Sequence, residues 1–384
     1  MMVLIDLLSD YATLRLIWWV LVGVLFWAFA LSEGFDLGVA SISAVMFDKD
    51  EDRRIILNTV GPVWEGNQIA LILGAGAIFA TWPFVYTVLF TGLYIPITLV
   101  LFTLILRPVG FKYRSKIKAP AWRSVWDWCL FLSGALASLS FGCILGAMIS
   151  GLQFNFNQDL QLFVNHNILQ LLQPLPLCSA FLWLLFFVSH GGIYLILKTE
   201  GAIKAKMQQM LPLRFWVSIV FFFLMLCVWK LTVPERSVLM PTDGPSNPLH
   251  KSVMEVGPTL EAFGWIFQDL FLISFIVFVV LTGGMLFFLK KRPGVVFILS
   301  SLRMGLVIGT MALGNFPLIV ASVTYIDHSL TVWDASSSYR NLLMTFVVVL
   351  IFLPIVLICT SWVYRVFRGP VKSQDIQKQS KELY

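Results

Sequence analysis

Nine stretches of about 20 apolar residues recur along this chain, each long enough to cross the hydrocarbon of a bilayer as a helix. They lie near 13–32, 58–82, 84–106, 125–150, 176–197, 213–232, 263–289, 294–320 and 341–364. Backbone groups in hydrocarbon have no water to bond, so such stretches satisfy their own amides as helices. Only 12% of residues are charged and 58% are apolar, whereas about a quarter of a soluble domain is charged. The chain therefore reads as an all-α integral membrane protein. No hydrophilic insert is long enough to fold separately, so residues 1–384 form a single polytopic membrane domain, with 365–384 as a tail.

The basic residues orient the spans, because cytoplasmic loops collect Lys and Arg. Of 27 such residues, 21 fall in the connections after odd-numbered spans or in the tail, among them Lys49, Arg53, Arg54, Arg107, Arg114, Arg123, Lys206 and Lys290. An outside amino terminus and a cytoplasmic carboxyl terminus fit this pattern. The net charge of +6 follows from the same asymmetry, and no basic block stands apart from the spans to suggest nucleic acid. The first apolar stretch lacks the basic start and small-residue cleavage site of a signal peptide. Cys129, Cys143, Cys178, Cys227 and Cys359 show no paired spacing and read as small membrane-buried residues.

Charge inside an apolar span marks function, since a charged side chain there costs roughly 2.5 kcal/mol or more. Glu65 sits in Trp64-Glu65-Gly66-Asn67-Gln68, seven residues into the second stretch, or roughly 10 Å from its cytoplasmic start at about 1.5 Å per residue. That depth suits proton uptake from the cytoplasm, with Asn67, Gln68 or trapped water as hydrogen-bonding support. The alternative is a neutral helix-packing carboxyl. Glu33 and Asp36 share one helical face, three residues apart. They read either as a solvated helix end or, where the helix runs on through Val39 to Phe47, as an acidic funnel shared with Glu65. Arg303, nine residues past Pro293-Gly294, needs an acidic partner: Asp127, Glu65 or a carboxylate on another subunit. Glycines in Gly74-Ala75-Gly76 and Gly283-Gly284 suggest close helix packing. Only His190 of the four histidines lies within a span, while His166, His250 and His328 fall in outer loops, so the chain offers no buried histidine pair to ligate haem.

Several strings in order along the chain resemble subunit II of the cytochrome bd-type quinol oxidases. They are Arg15-Leu16-Ile17-Trp18-Trp19, Glu33-Gly34-Phe35-Asp36-Leu37-Gly38, Trp64-Glu65-Gly66-Asn67-Gln68, Arg107-Pro108-Val109-Gly110-Phe111, Trp126-Asp127-Trp128, Ser246-Asn247-Pro248-Leu249 and Leu330-Thr331-Val332-Trp333-Asp334. The resemblance implies nine helices arranged as two four-helix bundles plus one peripheral helix, in the bacterial inner membrane. It also implies a homologously folded subunit I that carries haem b and haem d and the quinol site. The assembled enzyme is an electrogenic terminal oxidase that oxidises quinol, reduces dioxygen to water and takes its protons from the cytoplasm; this chain is not catalytic alone. The family's proton-route acid maps onto Glu65, and Asp replaces it in some members. Ala70 stands where some members place a Trp beside an oxygen route, which leaves that route wider or redirected here. Some members also hold a structural quinone or a small accessory subunit, besides membrane lipid, and no residue of this sequence places either.

A different class of function is a proton-coupled secondary transporter, in which Glu65 and Arg303 form a coupling site within the bundle. It calls for inverted repeats, and inspection reveals no convincing one.

Overall fold

The computed structural model describes residues 10–165, 167–256 and 264–371. His166, the first residue of the seventh stretch and the tail beyond Val371, with Lys372, Lys378 and Lys381, lie outside them.

Eight described helices are long and apolar enough to cross a membrane, and a ninth span is a bent pair. Helix α1 (Tyr11–Met46) opens where the Asp10 carboxylate accepts hydrogen bonds from the amides of Ala12 and Thr13, an N-cap that satisfies two orphan donors. It runs 36 residues, roughly 54 Å at 1.5 Å per residue, far past the expected end near 32. Glu33 and Asp36 do not end it, because both are met by polar groups inside the protein and the apolar run continues behind them.

The second span breaks into α2 (Asp50–Val60) and α3 (Trp64–Thr81), inclined by 53°. Pro62, in the intervening Gly61-Pro62-Val63, has no amide hydrogen and cannot continue the helical ladder. The third stretch divides similarly into the short α4 (Pro83–Gly92) and α5 (Tyr94–Tyr113). Then come α6 (Pro120–Ser150), α7 (Pro174–Lys198), α8 (Gly201–Thr232), α9 (Gly264–Phe288), α10 (Pro293–Asn315) and α11 (Tyr339–Val366). Proline at the first helical position starts α4, α6, α7 and α10, where its missing donor costs nothing. The eighth span, α10, stops at Asn315, short of the expected 320, because Pro317 follows and the chain turns extended.

Helices α1, α3, α5 and α6 form one bundle and α7 to α10 a second, joined where α1 and α6 pack along α7. Helix α11 packs chiefly on the flank of α1 and α3, and Leu342 is its one buried residue among those described. Glycines set the closest approaches. A Cβ on Gly38 would collide with the carbonyl of Phe187, one on Gly191 would lie 2.6 Å from the amide of Val39, and one on Gly134 would lie 2.7 Å from the amide of Ser41. Helix α1 is thus wedged, backbone to backbone, between α6 and α7.

Three antiparallel hairpins close the end of the molecule where α1 begins. They are β1 (Phe154–Phe156) with β2 (Leu162–Val164), β3 (Glu235–Leu239) with β4 (Ser252–Val256), and β5 (Leu318–Val320) with β6 (Leu330–Thr331). Basic residues gather at the opposite end, where Lys206 donates to the carbonyl of Met46 at the close of α1.

Candidate functional site

The middle of the first bundle holds two acids and one guanidinium, all fully buried. Glu33 and Asp36 project from α1, and Arg107 reaches them from α5, donating through Nη2 to Glu33 Oε1. Asp36 Oδ2 accepts from Asn67 Nδ2 of α3 at 2.8 Å, and Asn67 Oδ1 in turn accepts from the Tyr364 hydroxyl of α11 at 2.6 Å. Four helices therefore converge on one polar cluster in an apolar surround. Glu33 Oε2, Asp36 Oδ1 and Arg107 Nε and Nη1 make no hydrogen bond to any of the described residues. The expectation of a solvated helix end at Glu33 and Asp36 is overturned: the pair sits roughly 15 to 20 Å short of the helix end at Met46 by the helical rise.

Glu65 does not join this cluster. It lies two residues before Asn67, and at about 100° per residue that spacing turns it to the opposite side of α3. Its side chain is exposed, in company with Gly66, Ile69, Ile72, Leu73, Gly76 and Phe79. The expected single funnel of Glu33, Asp36 and Glu65 is thus not formed within the chain, and Asn67 supports Asp36 instead of Glu65. The rest of the motif anchors the helix. Trp64 is buried against Phe111, with ring centroids 5.7 Å apart. Gln68 is half-buried, and Ala70, also half-buried, packs against the core around Phe29 and Phe186.

Asp127 and Arg303, paired as one option in the sequence reading, lie in separate environments. Asp127 is clamped at the basic end by Arg114, whose Nε is 2.5 Å away, and by Arg53 at 2.7 Å; Arg114 also reaches Asp50 at 2.8 Å. Arg303 is the centre of the second bundle. Its Nη1 donates to Ser218 Oγ of α8 at 3.0 Å, and its guanidinium carbon lies 4.9 Å from the ring centroid of Phe186, 5.2 Å from that of Phe278 and 5.6 Å from that of Phe215. No carboxylate pairs with it among the described residues. Complete burial also keeps it from any carboxylate of another subunit. Aromatic faces and hydroxyls offset the charge in their place. With Arg303 enclosed and Glu65 on an outer face of the other bundle, the two make no common coupling site.

His190 of α7 is fixed on both sides of its ring. Nε2 must donate to the Leu31 carbonyl, 3.2 Å away, because a carbonyl only accepts. Nδ1 therefore accepts from Ser300 Oγ at 3.1 Å. The sequence does not single out Tyr364, and it gives Arg107 no part in this cluster. Arg107 reads as one of the cytoplasmic positives, yet its position directly behind the unbroken Leu104-Ile105-Leu106 run is the signal that it belongs to the span.

The sequence pattern of the family described as cytochrome bd terminal oxidase subunit II matches residues 14–367. Among similar proteins, the "probable cytochrome oxidase subunit 2" of Haemophilus influenzae is 37% identical, covering 98% of this chain and 100% of the relative. The "cytochrome bd-I ubiquinol oxidase subunit 2" of Escherichia coli K12 is 36% identical, with the same coverage. A solved bd oxidase chain from Geobacillus thermodenitrificans aligns with a TM-score of 0.66 at 16% identity, covering 92% of this chain and 98% of that one, so it speaks for the fold alone.

Proposed function

The chain belongs to the cytochrome bd terminal oxidase subunit II family, and from that premise we propose that it is the haem-free half of a bacterial quinol oxidase. A subunit I carrying haem b and haem d oxidises quinol and reduces dioxygen to water. This chain stabilises that subunit and lines a proton route to it from the cytoplasm. The basic end of the bundles faces the cytoplasm, as the loop charges favour.

The observation that supports the proton reading is that three acids stand on apolar helices of the first bundle. Glu65 occupies a surface that is otherwise apolar, where lipid would impose a cost of several kcal/mol. Coverage by subunit I removes that cost and directs the carboxyl toward the partner. Gly66 and Gly76 of the same surface have open space where a Cβ would stand, which lets a neighbouring backbone approach closely. Behind α3, Glu33, Asp36 and Arg107 form a group that is electrically neutral when it holds a single proton. Burial disfavours net charge, so the group takes up and releases one proton at a time. Trp64 and Gln68 fix the start of α3, Asp127 pins the cytoplasmic ends of α2, α5 and α6, and Arg303 holds the second bundle together. Ala70 borders an oxygen route.

The test uses the complex purified through a tag on this chain. Glu65→Gln is expected to slow oxygen consumption by about tenfold or more at unchanged haem content, the scale of a lost proton-transfer group, while Glu65→Asp keeps part of it. Asp36→Asn is expected to act likewise. Full turnover in both Glu65→Gln and Asp36→Asn, with normal assembly, overturns the proton role and leaves only the structural one.

A further inference from the structure

We propose that Tyr364 is a positioning residue for Asp36: from the peripheral helix it locks the Asn67 amide with its N–H toward the acid, and so sets how readily Asp36 releases its proton. The proposal rests on the reading that Asp36 exchanges protons during turnover.

A carboxamide can present either end to a neighbour. As found, the Tyr364 hydroxyl donates to Asn67 Oδ1 at 2.6 Å, and Asn67 Nδ2 donates to Asp36 Oδ2 at 2.8 Å. A donor on the carboxyl group favours its ionised form. With the amide turned over, Asn67 Oδ1 would accept from the protonated acid, and Nδ2 would donate to the phenol oxygen. The phenol hydrogen would then lose its Asn67 acceptor at a half-buried position, which is costly. Tyr364 thereby selects the orientation that favours release. An amide cannot itself carry a proton onward, so the Tyr364, Asn67 and Asp36 series orients and does not conduct.

Four titratable or charged groups face Asp36: Glu33 on its own helix, Arg107 from α5, Tyr194 from α7 and Tyr364 from α11. Two of them are already committed elsewhere. Arg107 donates to Glu33, and the Tyr194 hydroxyl donates to the Thr59 carbonyl at 2.9 Å. Among the described residues only Asn67 donates to Asp36, so the orientation of that one amide decides the acid's hydrogen bonding. Helix α11 otherwise lies almost wholly outside the bundles, and Tyr364 is how it reaches this acid.

The test is infrared spectroscopy of the assembled complex, titrated across roughly pH 5 to 9, a range that brackets a perturbed carboxyl. The carboxylic-acid carbonyl band of Asp36 is identified by its loss in Asp36→Asn. In Tyr364→Phe the band is expected to persist upward by about one pH unit, the scale of one hydrogen bond, and the pH profile of turnover shifts the same way with the KM for quinol unchanged. Incorporation of 3-fluorotyrosine at 364, a stronger donor of the same shape, should move the band in the opposite direction and serves where Tyr364→Phe fails to assemble. An Asp36 band whose titration ignores both replacements, or the absence of any such band, overturns the proposal. Undiminished turnover in Asp36→Asn would instead overturn the proton-route reading, because the position of the band is measured independently of turnover.

Discussion

Arg303 and Arg107 show two ways in which a buried guanidinium is accommodated, with different consequences for substitution. Arg107 is paired with Glu33, so removing it strands a carboxylate in the bundle core, a defect of about 3 to 5 kcal/mol for a broken buried pair. Arg303 strands nothing. The hydroxyls of Ser218 and Thr282 already donate to the carbonyls of Phe215 and Phe278, at 2.7 and 2.8 Å, and need no guanidinium. Arg303→Met keeps most of the volume and removes the desolvation cost of a guanidinium whose Nε and Nη2 bond to none of the described residues, so the melting temperature of the purified complex is expected to hold or rise. Arg303→Ala leaves a hole among Phe186, Phe215 and Phe278 and is expected to cost about 2 to 5 kcal/mol, as core truncations do. If Met proves as damaging as Ala, the charge itself has a use that this packing does not explain. Position in the sequence identified Arg303 as buried, but it could not tell that aromatic faces would stand in for an acid, since those faces come from three other helices.

At the scale of helices, the apolar runs made all nine crossings legible, whereas boundaries drawn from charge were misplaced where the charge is met inside. Glu33 and Asp36 resemble the end of a span until Arg107 and Asn67 are brought to them by α5 and α3, elements 31 to 74 residues away along the chain. Glu65 departs in the converse way: its string places it on a helix but not on a face, because an 18-residue helix with little sidedness does not declare which way it looks. Glycine spacing misled in the same manner. Gly76 and Gly283 have open space around them, while the tight contacts belong to Gly38, Gly134 and Gly191. A direct comparison follows. Gly191→Ala forces a methyl into the backbone of α1 and is expected to cost about 1 to 3 kcal/mol, seen as lower yield of folded chain. Gly76→Leu meets nothing in this chain, so the chain should fold normally and yet retain less of the haem-bearing partner through purification. Full haem retention by Gly76→Leu would place subunit I on some other face.

Across the whole molecule, the end where α1 begins is held by a clasp that joins segments far apart in sequence. Arg15 donates to the carbonyls of Thr242 and Gly244 at 2.7 and 3.0 Å and to Ser336 Oγ at 2.8 Å, tying the start of α1 to two loops. Lys251 pairs with Asp334 at 2.5 Å, and Asp327 accepts from the Val253 amide at 2.6 Å. One link of this clasp is sensitive to acid. His328 Nδ1 accepts from the Phe156 amide at 3.0 Å, which only the unprotonated nitrogen can do. Partial burial, followed by the nearby Lys251 ammonium, holds the imidazole below its ordinary value of 6.5, against a weaker opposite pull from Asp327. Released from the clasp, the ring binds a proton more readily than in place. The link therefore contributes fully above the ordinary value, weakens as pH falls below it and is lost once pH drops through the lowered native value. The protection of the Phe156 amide, its exchange rate set against that of a free amide at the same pH, is expected to fall between about pH 7 and pH 5 by the equivalent of one hydrogen bond, about 0.5 to 1.5 kcal/mol. In His328→Asn a carboxamide oxygen accepts in place of Nδ1 without titrating, so protection there should lose this dependence on pH. Persistence of the same acid response in His328→Asn would show that the imidazole is not its source.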